Sequence, residues 1–515
     1  MKEAFPVKRL SHKQSRMNSA KRRRRVATRH AQAGHWKAQQ QPMMRSGKIH
    51  YEIGADVDAM NYGGIGAVHR LVSKLGLPEL IDKRIELLKV HLPYHESDHV
   101  LNLAYNVLSG GTRLEDIERL RHDTAYMNAL GADLIPDPTT AGDFCRRFAE
   151  EHIIELMECI NTVRPALWQG RGKELLAPIA YIDADGTVAP TWGEQKAGMN
   201  ISYKGVWGYA PLIISLANTK EVLYVVNRCG NAPSHLGAAQ WIDRAIELVA
   251  PHAQRVCLRG DTDFSLTAHF DRWAKQVDFL FGMDAHPVLV ARAQGLPESA
   301  WKPLQRKEKY TTLTTETRER YQCNEKQRIV MEREYLNLKL NSEEVAEFSY
   351  RPNKCSRAYR VVALRKNISK MKGEAVLFDE IRYFFYITTR DDLSAEGVAR
   401  CANQRCDQEN VIEELKNGVN ALRVPLYDLL SNWAYMVIAA LAWNIKSWFA
   451  MMMHLKADRL LYIAMEFRRF LHSIILIPCR VVRRARSVTI RLVAYQPTLD
   501  RLFSAWHTIE RIRFG

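Results

Sequence analysis

Three acidic positions lie where carboxylates could hold metal ions. Asp183 and Asp185 are two residues apart in a short β-rich run, residues 179–185, so their side chains share one face of a strand. Asp261 follows a second apolar run, residues 255–258. Clustered carboxylates repel one another unless they are protonated or hold a cation. An all-oxygen cluster suits Mg²⁺ or Mn²⁺, and two such ions about 4 Å apart would stabilise both the attacking and the leaving oxygen of a phosphoryl transfer.

The elements around these carboxylates predict a mixed sheet. Strand-like and helical patterns follow one another in the order β-β-β-α-β-α-β, at residues 179–185, 212–217, 222–226, 238–249, 255–258, 265–275 and 278–283. The first three strands form a meander, and helical crossovers then add parallel strands. In this order the first and fourth strands can lie side by side. We therefore expect Asp185 and Asp261 to come together.

A third carboxylate is expected where helical sequence resumes after residues 286–398, a stretch of alternating runs that predicts a β-rich insertion. There Arg405, Glu409, Glu413 and Lys416 fall on one face of a helix. A solvated face with Arg–Glu and Glu–Lys pairs explains the same spacing, with each pair contributing a few tenths of a kcal/mol. The spacing alone leaves both interpretations open.

The motifs around these residues resemble those of DDE transposases from bacterial insertion sequences, in the branch with a β-rich insertion between the second Asp and the Glu. Asp185-Gly186-Thr187 matches the D-x-T element, and Asp261 opens a D-(S/T)-x-F element that ends at Phe264. The family signature of Tyr, Arg, Glu and Lys is matched at Arg405, Glu409 and Lys416, whereas Ala402 stands where the family has Tyr. The similarity extends over residues 90–430, approximately.

The resemblance implies a fold class and a reaction. The fold is an α/β RNase H-like mixed sheet with flanking helices, interrupted by the β-rich insertion, with helical N-terminal and C-terminal regions. The implied reaction is metal-dependent strand cleavage at terminal inverted repeats, followed by strand transfer into target DNA. Asp185, Asp261 and Glu409 would hold two Mg²⁺ (or Mn²⁺) ions, with Asp185 preferred over Asp183. Arg405 and Lys416 would position phosphates.

The resemblance also implies partners. These are double-stranded DNA, as element ends and target, and a second copy of the chain, because two ends must be cut together. We expect a cytoplasmic, nucleoid-associated protein without a membrane segment. Two alternatives stay open: a metal-dependent RNase H-like nuclease, and a catalytically silent relative that only binds DNA. Ala402 favours the silent relative, whereas the three intact carboxylates argue against it.

The charge of the chain is concentrated at its ends. Of the net +17, residues 1–50 carry +13 and residues 468–513 carry +8, which leaves the middle mildly acidic. The first segment contains Arg22, Arg23, Arg24 and Arg25 among polar residues and predicts a disordered basic arm. A solvated arm explains this composition, as does an arm that orders on DNA phosphates.

These patterns divide the chain into six regions. We expect a basic arm (1–50), a helical DNA-end-binding domain (51–170), the first part of the catalytic core (171–285), the β-rich insertion (286–398), the helix with the catalytic Glu plus packing helices (399–460), and an Arg-rich helical C-terminal region (461–515).

Two other motifs point elsewhere. His95-Glu96-Ser97-Asp98-His99 matches the HExxH motif of zinc metalloproteases, which needs both His residues on one helix face. Ser97 and Asp98 favour helix caps, so we expect the helix to begin between the two His residues, which argues against a protease. The most apolar segment, residues 434–443, is too short to span a membrane and predicts a buried helix.

Overall fold

The computed structural model describes residues 58–305 and 336–513, except for residues 92, 194, 203, 373–374, 485–486 and 494–497. The predicted basic arm with Arg22, Arg23, Arg24 and Arg25 and the predicted strands at 310–315 and 328–332 lie outside these residues. The described chain forms two compact units. One comprises residues 58–82, 88–142 and 448–513, and the other comprises residues 83–87 and 143–447.

The described strands, β1 to β15 in chain order, are Ala59–Met60, Ala180–Gly186, Ala189–Pro190, Asn200–Ile201, Trp207–Tyr209, Leu212–Leu216, Glu221–Val226, Val256–Gly260, Asp278–Met283, Lys302–Pro303, Leu336–Tyr350, Tyr359–Lys372, Ala375–Thr388, Cys479–Arg484 and Ser487–Leu492. The described α-helices, α1 to α18, are Ile65–Lys74, Leu77–Arg84, Glu96–Leu108, Ile117–Arg121, Thr124–Leu130, Pro138–Arg146, Glu150–Thr162, Arg164–Gln169, Lys173–Leu176, Ala238–Val249, Thr267–Trp273, Pro287–Gln294, Ala395–Asn403, Cys406–Glu413, Leu429–Met451, Lys456–Ala464, Phe467–Phe470 and Leu499–Arg511.

The larger unit is built on one nine-stranded sheet, in the order β10-β11-β12-β13-β9-β8-β2-β6-β7. Its central strands have the predicted arrangement. β2, β6 and β7 form an antiparallel meander, and β8 and β9 add in parallel on the other side of β2. The crossover helix α10 buries the predicted stripe from Ala238 to Val249. The RNase H-like α/β core is therefore confirmed, including the adjacency of the first and fourth strands.

The insertion extends the core sheet, which the sequence did not predict. The described strands within residues 286–398 confirm the predicted β-rich insertion. β11, β12 and β13 pair antiparallel with one another, and β13 pairs antiparallel with β9, opposing Phe385 to Met283 and Ile387 to Phe281. The physical reason is the open backbone edge of β9, which would otherwise leave its hydrogen-bonding groups unpaired.

Polar side chains of two helices satisfy the opposite edge of the sheet, at β7. Asn444 of α15 accepts from the Val222 backbone N–H at 2.8 Å and donates to its carbonyl at 3.0 Å. Arg164 of α8 forms a fully buried ion pair with Glu221 at 2.6 Å. Residues 143–170 therefore belong to the larger unit, which differs from the expected domain boundary at residue 170.

The smaller unit joins both ends of the described chain. The Gly63 and Gly64 N–H groups donate to the carbonyls of Ile477 and Ile475, at 2.9 and 3.1 Å. Only glycine fits at position 64, because a Cβ there would lie 1.9 Å from the Ile474 carbonyl oxygen. The described residues from 461 onward thus belong to one compact unit with the N-terminal helices and do not form the separate region that we expected.

The C-terminal region is also not purely helical, which corrects a second expectation. β14 and β15 form an antiparallel hairpin, and β1 pairs with β14 to complete a three-stranded sheet. The reason is a period of two: Cys479 and Val481 are buried, whereas Arg480 between them is exposed. The arginine-rich composition of this region does not reveal that alternation.

The apolar segment at residues 434–443 lies inside α15, where its side chains are buried, as predicted. Within the ranges that the structure describes, no helix combines the length and the apolar character that crossing a bilayer requires.

Candidate active site

Two of the three predicted carboxylates meet at the ends of adjacent parallel strands. β2 and β8 run side by side, with Asp183 opposite Arg259 and Ala184 opposite Gly260. Asp185 therefore sits at the end of β2, and Asp261 comes directly after β8. Gly260 is required at this end, because a Cβ would lie 2.7 Å from the Cβ of Phe264.

Asp183 serves a different purpose from Asp185. Its carboxylate is fully buried and accepts from both Nε and Nη2 of Arg259, at 2.7 and 2.8 Å. The Arg259 guanidinium also stacks on the Tyr181 ring at 4.4 Å and donates to the Cys401 carbonyl. Burial raises the pKa of Asp183, and the Arg259 charge opposes that rise. A bidentate, enclosed pair of this kind holds strands together and leaves Asp183 without access to a substrate.

The pKa values of Asp185 and Asp261 are both raised above the ordinary value of an aspartate. Burial raises the pKa of Asp185 to about 6, the Asp261 charge adds to the rise, and Arg405 opposes it. Burial likewise raises the pKa of Asp261, with Arg405 opposing and Asp263 adding. Two such groups gain from any cation that enters between them.

The predicted cations of the site lie on the helical segment after the insertion. Arg405 Nη1 donates to Asp185 Oδ2 at 3.0 Å from the residue that precedes α14. Lys416 lies in a π-turn, Glu414–Gly418, that continues α14. Burial and the Lys204 charge lower the pKa of Lys416, whereas the charges of Glu413 and Asp185 raise it, so Lys416 lies within electrostatic range of Asp185. π-turns are frequent at functional sites.

A buried glutamine docks α14 on the sheet beside Asp185, and no sequence motif pointed to it. Gln408 accepts a hydrogen bond from the Ser215 hydroxyl and donates to the Ile213 carbonyl at 3.3 Å. Ile213 is the partner of Asp185 in the register between β2 and β6. The contact therefore ties the helix to the strand pair that carries the carboxylate.

Glu409 is exposed on α14, one turn after Arg405. Over the described residues, the one group of three possible metal ligands with donor atoms all within 4.8 Å is His91, His95 and Glu96. Asp185, Asp261 and Glu409 are thus not gathered that closely. The geometry joins the two aspartates with Arg405 and leaves Glu409 at the solvent side.

The departure at Ala402 has a local structural role. Ala402 is partly buried and packs against an apolar cluster that includes Val398, Ala399 and Cys401. Its methyl group has no hydrogen-bond donor or acceptor to offer a ligand.

The comparisons with known proteins identify the family. The protein-family model described as "Transposase DDE domain group 1" matches residues 58–514 of this chain. The chain belongs to the DDE transposase-domain family. The comparison with curated proteins found no match. Among solved structures, the chain is similar to one titled "Cryo-EM structure of piggyBac transposase synaptic complex with hairpin DNA (SNHP)", with 8% identity, 80% of this chain and 81% of that chain covered, and a TM-score of 0.34. A TM-score this low does not establish a shared fold.

The residues of this DDE-domain chain fit a divalent ion at two of the three expected positions. Asp185 and Asp261 offer only oxygen donors, and the Asp261 charge raises the pKa of Asp185. Arg405 now contacts the oxygen of Asp185 that a cation would also approach. Members of this family generally use divalent metal ions.

Two exposed aromatic residues lie on the segment that follows Asp185 in this DDE-domain chain. The three-stranded sheet of β3, β5 and β4 follows Asp185, and it carries Trp207, half-exposed beside Ile201. Trp192, just after β3, is 91% exposed. By contrast, Trp301 at the start of the insertion is buried under the Arg365 guanidinium, at 4.4 Å. Exposure is a property of the folded sheet, so composition could not single out the first two.

The HExxH motif does not form a protease site. α3 begins at Glu96 with His95 as its N-cap, as predicted. His99 is buried and faces the Tyr94 ring at 5.4 Å. The two His residues of the motif therefore do not share a helix face.

Proposed function

We propose that this chain cleaves DNA strands at the terminal inverted repeats of a mobile element and joins the freed 3′ ends to target DNA. The observation that carries the proposal is the placement of Asp185 and Asp261 at the ends of adjacent parallel strands of an RNase H-like sheet. Arg405, 3.0 Å from Asp185, adds the cation that a phosphodiester needs. Membership of the DDE transposase-domain family supports the same reaction.

Each side chain of the site has a proposed role. Asp185, Asp261 and Glu409 would hold two Mg²⁺ or Mn²⁺ ions, which when bound would stabilise the attacking and leaving oxygens. Arg405 and Lys416 bind the phosphates on either side of the scissile bond. Arg405 can release Asp185 for this purpose, because its side chain is partly exposed.

Asp185 is the proposed first ligand, and Asp183 is not. The Asp183 carboxylate is enclosed by Arg259, whereas the Asp185 carboxylate retains access to solvent. Moving a cation to Asp183 would require breaking a buried ion pair, which costs about 3–5 kcal/mol.

The proposed partners are two DNA ends, a target duplex and a second copy of the chain. The body of the chain supplies the carboxylates, and the basic arm at residues 1–50 supplies charge for the phosphates. We propose that the protein acts in the cytoplasm, in association with the nucleoid.

The test is strand cleavage by an active-site variant with a matched neighbour. Asp261→Asn is compared with Asp263→Asn, whose exposed side chain lies two residues further along the same loop. The substrate is a duplex taken from the DNA that flanks the coding region, with Mg²⁺ present. We expect Asp261→Asn to bind the duplex normally in a gel-shift assay and to cleave at least roughly 1,000-fold more slowly. Asp263→Asn should retain most of the cleavage rate.

The outcomes separate the alternatives. Full cleavage by Asp261→Asn would contradict the assignment of Asp261 to the active site. Cleavage by the wild type without any joined product would favour a metal-dependent nuclease. Binding by the wild type without cleavage would favour a silent relative.

A further inference from the structure

A second cluster of possible metal ligands lies in the smaller unit. His91 and His95 precede α3, and Glu96 is its first residue. One donor atom from each of the three residues lies within 4.8 Å of the others. The imidazoles of His91 and His95 are exposed, whereas Glu96 is buried.

The distances of this His91–His95–Glu96 cluster are close to those of a zinc site. His91 Nε2 lies 3.2 Å from Glu96 Oε2. In a tetrahedral zinc site with bonds of about 2.1 Å, ligand atoms are about 3.4 Å apart. The rings of His91 and His95 are parallel within 17°, with centroids 4.8 Å apart. A small movement of His95 would bring its nitrogen to the same point.

Neighbouring groups already orient the cluster. Glu96 Oε1 accepts from the Leu88 N–H at 2.9 Å, which leaves Oε2 directed at His91. Asp98 accepts from the His95 N–H at 2.9 Å and so fixes the backbone of that ligand. Hydrogen bonds of this kind hold metal ligands in place and set their basicity.

We propose that His91, His95 and Glu96 bind one divalent transition-metal ion of the zinc class. Two imidazoles and one carboxylate suit zinc, whereas Mg²⁺ prefers oxygen ligands alone. Water from the exposed side completes the coordination. The ion ties the segment before α3 to the first turn of that helix, a structural role outside the carboxylate site on β2 and β8.

A simpler arrangement accounts for part of the geometry. A protonated His91 would form an ion pair with Glu96 and need no metal. That ion pair engages His91 and Glu96 alone, whereas a shared ion also engages the His95 nitrogen that lies within 4.8 Å of both. The two arrangements differ in one measurable respect, the zinc content.

The test is metal content of the full-length chain, with Zn²⁺ itself as the probe. Wild type, His91→Ala and His122→Ala are equilibrated with Zn²⁺, freed of excess and analysed by elemental mass spectrometry. His122 is a matched control, because it is an exposed histidine of the same unit that contacts Glu118 at 2.9 Å and belongs to no group of three possible ligands among the described residues. We expect His91→Ala to lose one zinc equivalent and His122→Ala to lose none.

A second variant distinguishes loss of the metal ligand from a folding defect of His91→Ala. His95→Gln should lose the same equivalent while keeping the wild-type circular dichroism spectrum. Co²⁺ in place of Zn²⁺ should give the visible absorption of a tetrahedral site in the wild type and not in either variant. Equal zinc content in wild type, His91→Ala and His95→Gln would overturn the proposal. None of these readouts depends on DNA.

Discussion

Two aspartates separated by a single alanine show how environment assigns a role. Asp183 and Asp185 point to the same face of β2, so their spacing predicts that both are candidates. The structure separates them through Arg259 on the neighbouring strand, which encloses Asp183 and leaves Asp185 at the strand end. That distinction depends on the register between β2 and β8, which no local pattern in the sequence encodes.

This contrast predicts opposite effects on stability. Asp183→Asn leaves the buried Arg259 charge without its carboxylate and should lower the free energy of unfolding by about 3–5 kcal/mol. Asp185→Asn should raise it at pH 8, because a carboxylate with a pKa raised to about 6 is ionised there against the preference of its site. Urea unfolding in the presence of EDTA measures both free energies.

The pH dependence follows from the sign of the shift. The pKa of Asp185 in the folded chain is about 6, above its ordinary value of 3.8. Between these values the folded chain retains the proton that the unfolded chain has lost, so stability falls as pH rises. The gain from Asp185→Asn should therefore be roughly 2–3 kcal/mol at pH 8 and vanish below pH 4. Equal gains at both pH values would contradict the assigned environment.

At the scale of elements, the strands and helices of the core were predictable and their partners were not. β9 begins and ends where the apolar run at residues 278–283 does, and α10 coincides with its helical stripe. Burial of apolar side chains produces these patterns locally. The addition of β13 to β9, the hairpin of β14 and β15 and the π-turn after α14 arise from long-range packing, so the sequence did not reveal them.

The hydrogen bonds that hold α14 on the sheet predict that Gln408 controls the position of this helix, although Gln408 takes no part in the chemistry. Gln408→Ala removes two hydrogen bonds to β6 and should lower the strand-cleavage rate roughly 10–100-fold, because small displacements of catalytic groups carry large penalties. DNA affinity should stay within about twofold, since Gln408 is buried. The control is Asn410→Ala, exposed on the same helix. Equal cleavage rates for the two variants would exclude a positioning role.

At the scale of the whole molecule, charge and catalysis are assigned to different parts of the chain. The excess of basic residues lies in residues 1–50 and 468–513, whereas the body between them is mildly acidic and holds the carboxylates. The described part of the chain places the second basic segment in the smaller unit, together with the N-terminal helices. Basic residues bind DNA chiefly by releasing counterions from its phosphates.

Removal of residues 1–50 tests that assignment. The truncated chain should bind duplex DNA more weakly and with a shallower slope of log affinity against log salt, because each lost phosphate contact reduces the slope by about 0.9. A salt series of binding isotherms gives both quantities. Cleavage at saturating DNA and the unfolding profile of the remaining chain should not change. An unchanged slope would contradict a role for the arm in holding phosphates.

We propose that Asp185, Asp261 and Glu409 form one catalytic site, in which Glu409 is the most exposed member. The most direct measurement is the single-turnover rate of strand cleavage by Glu409→Gln, compared with Glu413→Gln one turn further along. With saturating duplex and Mg²⁺, we predict a loss of at least about 1,000-fold for Glu409→Gln and less than about tenfold for Glu413→Gln. Retention of near wild-type cleavage by Glu409→Gln would contradict the account.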